Sequence, residues 1–549
     1  TPEEFFAGHP AAYQVFTAVR DLVLAAGPAE VRVSRSQVAF RRRRGFAGST
    51  SGIDRAVDDP FYGFNEGSVH VRVGKENQPL FYQFESPLLR LIVEEKYELL
   101  VRGSQLAYLR AQPDGEVPPA SIWVHRFYDA AASTLGQRPQ EYVLERAAED
   151  LFELVRLVLA KTGAPRVTLV AHSMGGLICR SMLQRVVPEA TGRPDGALDY
   201  VSRLFTYGTP HGGIEFAVGF GLAEKLRDLV DINGAEIFGP DRMYRYLTPD
   251  LPGAPRAAKR PKGWEPTTMP DGGFPADRVF CLVGTNPEDY SVAMGLSSKA
   301  VGARSDGLVQ IDNAYVKGAH RAFVHRSHSG RYGMVNSEEG YQNLRRFLLG
   351  DLRVQVELAN LRVRGSARDE IVWQLETQLA IRGLPIVMHE QTTAHHCPIQ
   401  IEWPPTEDTA SRPVPLLTTF LSSRATRPPS AETGRPVSTM RHALRLRLIS
   451  LREKGGIFGF FDHLEQTADF DDTLVVDIAP GDEATPPRAW ATWNSVIPGA
   501  IRDWQPEGEP LADTDATPGV WRGRVRVPPP ARPILGEHAE VVLTVTPHD

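Results

Sequence analysis

Only three cysteines, Cys179, Cys281 and Cys397, occur among the 549 residues, and they lie far apart in the chain. A framework of several bridges is excluded, and a reducing, cytoplasmic setting is expected. The chain starts at Thr1 without a methionine, which leaves a removed leader open. No run approaches the ~18 apolar residues that a membrane-spanning helix needs. Neither sign of charge dominates: 61 Lys and Arg against 67 Asp and Glu leave a net charge of −6. A nucleic-acid binder should carry a basic excess, so no nucleic-acid partner is expected. Apolar residues are not scarce, and 42% is enough for a buried core and too much for a disordered chain. Loop formers are plentiful, with 48 glycines and 44 prolines, about 17% of the chain against a usual ~12%.

The length suggests several domains at roughly 150 residues each. Residues 1–47 read as a small α+β segment, with a helical pattern from Pro10 to Gly27 and short strands around Val31, Val33 and Val38. The run VRVSRSQVAFRRRR resembles the start of a small bacterial domain of unknown function and implies no chemistry. Arg41–Arg44 reads as a solvated face. Gly45 to Asp59 reads as a linker. From residue 52 to Gly350, strand-length apolar runs alternate with amphipathic helices, the pattern of an α/β fold with a mostly parallel sheet. Ile122-Trp123-Val124, Val167–Val170, Leu204–Tyr207 and Val279–Val283 are its expected strands, and Pro139–Lys161 is its clearest helix. After Gly350 the apolar period falls to two, which predicts a β-sandwich-like domain over 351–549. Pro404 to Thr439, with seven prolines, reads as a long loop within it. Six of the eight tryptophans fall in this last region, where core and strand-edge packing is the favoured explanation over a ligand platform.

The chemistry concentrates in RVTLVAHSMGGLICRSML, residues 166–183. A buried strand leads into Ala171-His172-Ser173-Met174-Gly175-Gly176 and then a helix with an apolar face. This is a nucleophile elbow, with Ala171 where the commoner form has a first glycine. The turn is tight, so small residues are expected two before and two after Ser173, at Ala171 and Gly175. The following helix N-terminus points backbone N–H groups at any oxyanion that develops there. A serine hydroxyl needs a histidine base oriented by a carboxylate, and in this architecture the chain order is Ser, acid, His. Asp306, in the turn Ser305-Asp306-Gly307-Leu308-Val309, is the favoured acid, with Asp289 and Asp312 as fallbacks. His328, followed by Ser-Gly in the loop ahead of the last helix, is the favoured base over His325 and His320.

AHSMGG, TYGTPHGG (206–213), SDGLV (305–309) and HSGRYGMVNSEEGYQNLRRFL (328–348) together resemble the lipase-type α/β-hydrolases. The nearest groups are the bacterial triacylglycerol lipases and the PGAP1-like and lecithin:cholesterol acyltransferase-like proteins. The resemblance implies an α/β-hydrolase core over roughly residues 60–350, with Ser173 as nucleophile, Asp306 as acid and His328 as base. It also implies an oxyanion donor at Met174, a structural or pocket role for His211, and a cap or lid at about 214–277. The apolar run Phe216–Val230 fits a lid or an ordinary cap equally well.

The chain departs from the family at the second oxyanion donor, because no His-Gly pair precedes Ser173. Val73-Gly74 ends an apparent early strand, which makes Gly74 the nearest equivalent beside a plain turn glycine. The function expected is hydrolysis of a carboxylic, lipid-like ester through an acyl-enzyme, with contact with a membrane surface left open. Acyl transfer to an alcohol would use the same residues, and a lipid- or protein-binding module without turnover is the alternative. The mechanism needs no metal or other cofactor. His395-His396-Cys397 could ligate a metal, but neighbours on a strand face opposite ways and no second cluster completes a site.

Overall fold

The computed structural model describes residues 86–100, 105–125, 127, 143–214, 235–288, 304–329, 333–363, 371–401, 412–422, 440–452, 468–479, 487–506 and 508–548. Before residue 86 it describes short pieces, chiefly strands. The described chain is a mixed α/β protein.

Two small antiparallel sheets come first. Glu30–Val33, Val38–Arg41 and Gly45–Gly48 form one, and Arg55–Val57, Val69–Val73 and Pro79–Tyr82 form the other. Gly45 to Asp59, expected as a linker, therefore contains two strands. Glycine and serine suggest a linker there, yet Phe40↔Ala47 and Ala56↔His70 are paired register positions. The first of these strands also crosses the boundary expected at residue 47.

Helix α1 (Leu144–Thr162) carries Leu144, Ala148, Leu151, Val155 and Val158 on one buried stripe, and Gly163, in the left-handed region at φ 68°, ends it. Strand β1 (Val167–His172) follows, then α2 (Met174–Ser181), β2 (Val201–Tyr207), α3 (Pro240–Leu247), β3 (Val279–Gly284), β4 (His320–Val324) and α4 (Glu338–Leu349). Among the described residues, β1 to β4 form a sheet in sequential order with every pairing parallel. Both of its faces are covered. Leu204, Val279 and Cys281 pack with α1 and α2, whereas Phe205, Phe280 and Leu282 pack with Tyr341, Leu344 and Phe347 of α4. Alternate side chains of one strand thus feed two cores, which is why these strands read as continuous apolar runs. Ser337 caps α4 by accepting from the Gly340 N–H at 2.9 Å.

The remainder is antiparallel. β5 (Leu352–Ala359), β9 (Val414–Leu421), β13 (Trp521–Arg526) and β14 (Glu540–Pro547) form one sheet in the order β9-β5-β14-β13. β6 (Ile371–Ile381), β7 (Val387–Gln391), β8 (Ile399–Ile401), β10 (Met440–Arg452), β11 (Phe470–Ala479) and β12 (Arg488–Trp493) form the second. Val356, Leu543, Leu446 and Val476, two from each sheet, share one core. Trp373, Trp493 and Trp521 are buried in it, a packing role for three of the tryptophans. The stretch expected as a long loop contains β9. Its prolines masked the alternation, but Leu416, Leu417, Phe420 and Leu421 are buried and β9 pairs with β5 from Leu352 to Leu358.

Among the described residues β4 is one edge of the parallel sheet, and the antiparallel region covers it. The Phe323 N–H points to His389 Nδ1 at 3.5 Å, while His389 Nε2 lies 3.2 Å from Thr377 Oγ1. An edge N–H that could template another strand is thereby occupied. Phe420 of β9 joins Phe280 and Phe347 in the core, and His548 Nε2 donates to the Phe347 carbonyl at 2.9 Å. His320, His389 and His548 all sit at this junction. Burial, reinforced by nearby arginines, pushes their pKa values down to about 4, 3 and 4.

These histidines favour the unprotonated native state. Below the ordinary value near 6.5 the unfolded chain takes up protons that the folded chain refuses, so stability is full above that pH and falls towards about pH 4. Calorimetry between pH 7 and 4 is expected to show the melting midpoint falling by more than about 5 °C. In His389→Gln, which carries no titrating group at this site, the fall is shallower.

Candidate active site

Three side chains from distant parts of the chain meet at the carboxyl end of the parallel sheet. Strand β1 ends at His172, and α2 begins at Met174 with no residue to spare. Ser173 between them takes φ 53° and ψ −129°, a backbone conformation that L residues rarely adopt. The surroundings hold it there. Its N–H donates to the Tyr207 carbonyl at 2.9 Å, and its carbonyl accepts from Thr209 Oγ1 at 2.8 Å.

The need for small residues around the elbow differs from expectation. A Cβ on Gly175 would rest at 3.6 Å from Ala171 Cβ, an ordinary contact. A Cβ on Gly176 would come within 2.6 Å of Thr209 Cγ2 and 2.8 Å of Thr209 Cβ. Gly176 is the glycine that the turn requires, because α2 crosses the strand exit of β2 there.

Ser173 Oγ lies 2.9 Å from His328 Nε2, and His328 Nδ1 lies 2.8 Å from Asp306 Oδ2. A carboxylate only accepts, so the imidazole proton sits on Nδ1 and the Nε2 lone pair faces the serine hydroxyl. The other Asp306 oxygen, Oδ1, accepts from the N–H groups of Leu308 at 3.0 Å and Val309 at 2.7 Å. The His328 N–H in turn donates to the Asp306 carbonyl at 2.9 Å. Asp306 and His328 are 1% and 2% exposed, shielded from bulk water that would weaken both contacts. Met174 is the first residue of α2, so its N–H has no acceptor within the helix.

The rival residues are occupied elsewhere. His325 follows β4, with Nδ1 3.4 Å from Thr285 Oγ1 and its ring stacked on His395 at 3.7 Å. His320 lies in the junction with the antiparallel region. His211 is fully buried between Thr206 Oγ1 at 3.1 Å and Cys281 Sγ at 3.5 Å, and burial drives its pKa well below the ordinary value. Asp312 is exposed and pairs with Arg304 at 3.2 Å. Asp289, Gly74 and the apolar run Phe216–Val230 lie outside the described residues. The strand Val69–Val73 before Gly74 exists, but it pairs antiparallel with both of its partners in a separate sheet. Cys397 is buried, and His395 Nδ1 is 3.6 Å from Glu390. Among the described residues no group of three His, Cys, Asp or Glu side chains is arranged to hold a metal ion, and no helix is long and apolar enough to cross a membrane.

Two contributors escaped the sequence reading. His172 Nε2 lies 2.9 Å from the His328 carbonyl oxygen. Gly208, directly after β2, has φ 50°, and a Cβ there would come within 2.9 Å of Asp306 Oδ2 and 3.1 Å of His328 Nδ1. A glycine immediately after a strand was the available signal for the second.

No known family model matches the chain. It is similar to a triacylglycerol lipase of Pseudarthrobacter phenanthrenivorans, 42% identical over 69 residues, which is 13% of this chain and 18% of that protein. It is equally similar, 42% over 69 residues, to a triacylglycerol lipase of Burkholderia plantarii, covering 13% of this chain and 16% of the other. The chain thus spans less than a fifth of either relative's length.

Gly208→Ala is expected to strain the backbone and push on the acid–base pair together, at a cost of about 2–3 kcal/mol. Gly115→Ala shares the positive φ, 76°, with open space around its Cβ, and should lose only about 1 kcal/mol. Denaturant melts of both variants check the difference.

Proposed function

We propose that the chain is a serine hydrolase that cleaves a carboxylic, lipid-like ester. In this reading residues 52–350 form an α/β-hydrolase core with a cap or lid at about 214–277, flanked by a small N-terminal segment and a β-rich accessory domain over 351–549. The observation that carries it is the unbroken series Ser173 Oγ, His328 Nε2, His328 Nδ1, Asp306 Oδ2, with links of 2.9 and 2.8 Å. The partial likeness to two lipases supports the ester as the bond cleaved.

Ser173 attacks the ester carbonyl carbon while His328 Nε2 takes its proton, and the imidazolium so formed is stabilised by Asp306. The negative oxygen of the tetrahedral intermediate is met by the Met174 N–H and the N-terminus of α2. His328 returns its proton to the leaving alcohol, and an acyl group remains on Ser173. Water, deprotonated by the same imidazole, then releases the acid and restores the serine. A binding module without turnover would have no use for a serine held at positive φ against an imidazole that is itself held by a buried carboxylate.

A fluorophosphonate probe is expected to label the purified protein at Ser173, and the protein should hydrolyse short p-nitrophenyl esters. His328→Ala should lower turnover by roughly 10^3-fold or more, whereas His325→Ala, which removes a stacking partner, should change it less than about tenfold. Equal losses in both variants, with circular dichroism unchanged, would assign the base wrongly. Absence of labelling and of hydrolysis in the unmodified chain would sink the reading itself.

A further inference from the structure

Four contacts among those described hold the base. Its side chain meets Asp306 and Ser173, and its backbone N–H donates to the Asp306 carbonyl. The fourth contact reaches its backbone carbonyl from His172 Nε2, at 2.9 Å. A carbonyl oxygen only accepts, so His172 carries its proton on Nε2 and donates. The two imidazoles lie 4.8 Å apart at 44°, too tilted to stack and close enough for the charge of one to be felt by the other.

We propose that His172 is a positioning residue: resting on the triad reading above, its Nε2–H holds the His328 carbonyl and so sets the imidazole of His328 at hydrogen-bond range of Ser173. The geometry explains why the donor comes from this place in the chain. His172 is the last residue of β1 and is bonded directly to Ser173. One side chain therefore ties the backbone that carries the nucleophile to the backbone that carries the base, although 155 residues separate the two in sequence. The base loop is also anchored beside His328, by the Met334 N–H on the Ser327 carbonyl at 2.9 Å and by Arg326 on Glu339 at 3.0 Å, so the tie acts on His328 itself, where a shift of about 1 Å at Nε2 is enough to cost a large factor in rate.

Burial supports the role. It lowers the His172 pKa to about 3, with the neighbouring His328 adding to the effect. His172 thus stays neutral while His328 alternates between imidazole and imidazolium. A charged His172 would oppose proton uptake by the base. A neutral one donates its single hydrogen bond and leaves the base's charge to Asp306.

The test separates donor from shape. His172→Phe keeps a flat ring and removes the N–H, whereas His172→Gln offers a side-chain amide N–H without a ring. With a p-nitrophenyl ester, His172→Phe is expected to lower kcat roughly 10-fold or more with KM within about twofold, and His172→Gln to recover most of the loss. The downfield proton resonance of the His328–Asp306 hydrogen bond should broaden in the Phe variant and sharpen again in the Gln variant. Full activity in His172→Phe, or equal impairment of both variants with the resonance unchanged, overturns the proposal. Should the Phe variant not fold, His172→Leu reads the same donor loss. An inactive unmodified chain would instead refute the triad reading, and the proton resonance would still report whether His172 holds the imidazole.

Discussion

The turn that holds Ser173 at positive φ is the constraint on which the rest of the site depends. It is unfavourable in isolation and persists because strand, turn and helix leave the chain no alternative. Strand β1 is hydrogen-bonded to β2, α2 packs between α1 and α3, and Thr209 fills the only room a side chain at residue 176 could take. The core on both faces of the sheet therefore contributes to aiming one hydroxyl. The parallel arrangement adds the rest, since the loops leaving β2, β3 and β4 emerge at the same end as Ser173.

The antiparallel region reaches this arrangement through β4. His389 occupies an edge N–H of that strand, and His395 stacks on His325, three residues before His328. Buried histidines at the junction, held neutral by burial and by nearby arginines, join the two regions by packing and hydrogen bonds. The region contributes no side chain to the described Ser173–His328–Asp306 series.

How much of this is legible in the sequence depends on how local each signal is. The elbow is readable because an apolar strand, a small-residue turn and an apolar helix stripe coincide within eighteen residues. Asp306 and His328 follow from chain order and from turn-forming neighbours, and the structure sets them within hydrogen-bond reach of each other and of Ser173. Contacts between residues far apart in sequence leave no such trace. The tight glycine is Gly176 because of Thr209 on another strand, and His172 matters because of a carbonyl 156 residues away. Composition misled twice: prolines hid the strand Val414–Leu421, and glycine and serine hid the strands within Gly45 to Asp59. In each case pairing partners elsewhere decided the conformation over local propensity.

The central claim is that an acyl group passes through Ser173. Rapid acid quench during turnover of a p-nitrophenyl ester, followed by peptide mass mapping, tests it most directly. The account predicts a burst of p-nitrophenol close to one equivalent of protein and an acyl mass added to the peptide holding Ser173. Steady hydrolysis with no adduct, or an adduct on a different residue, would contradict it.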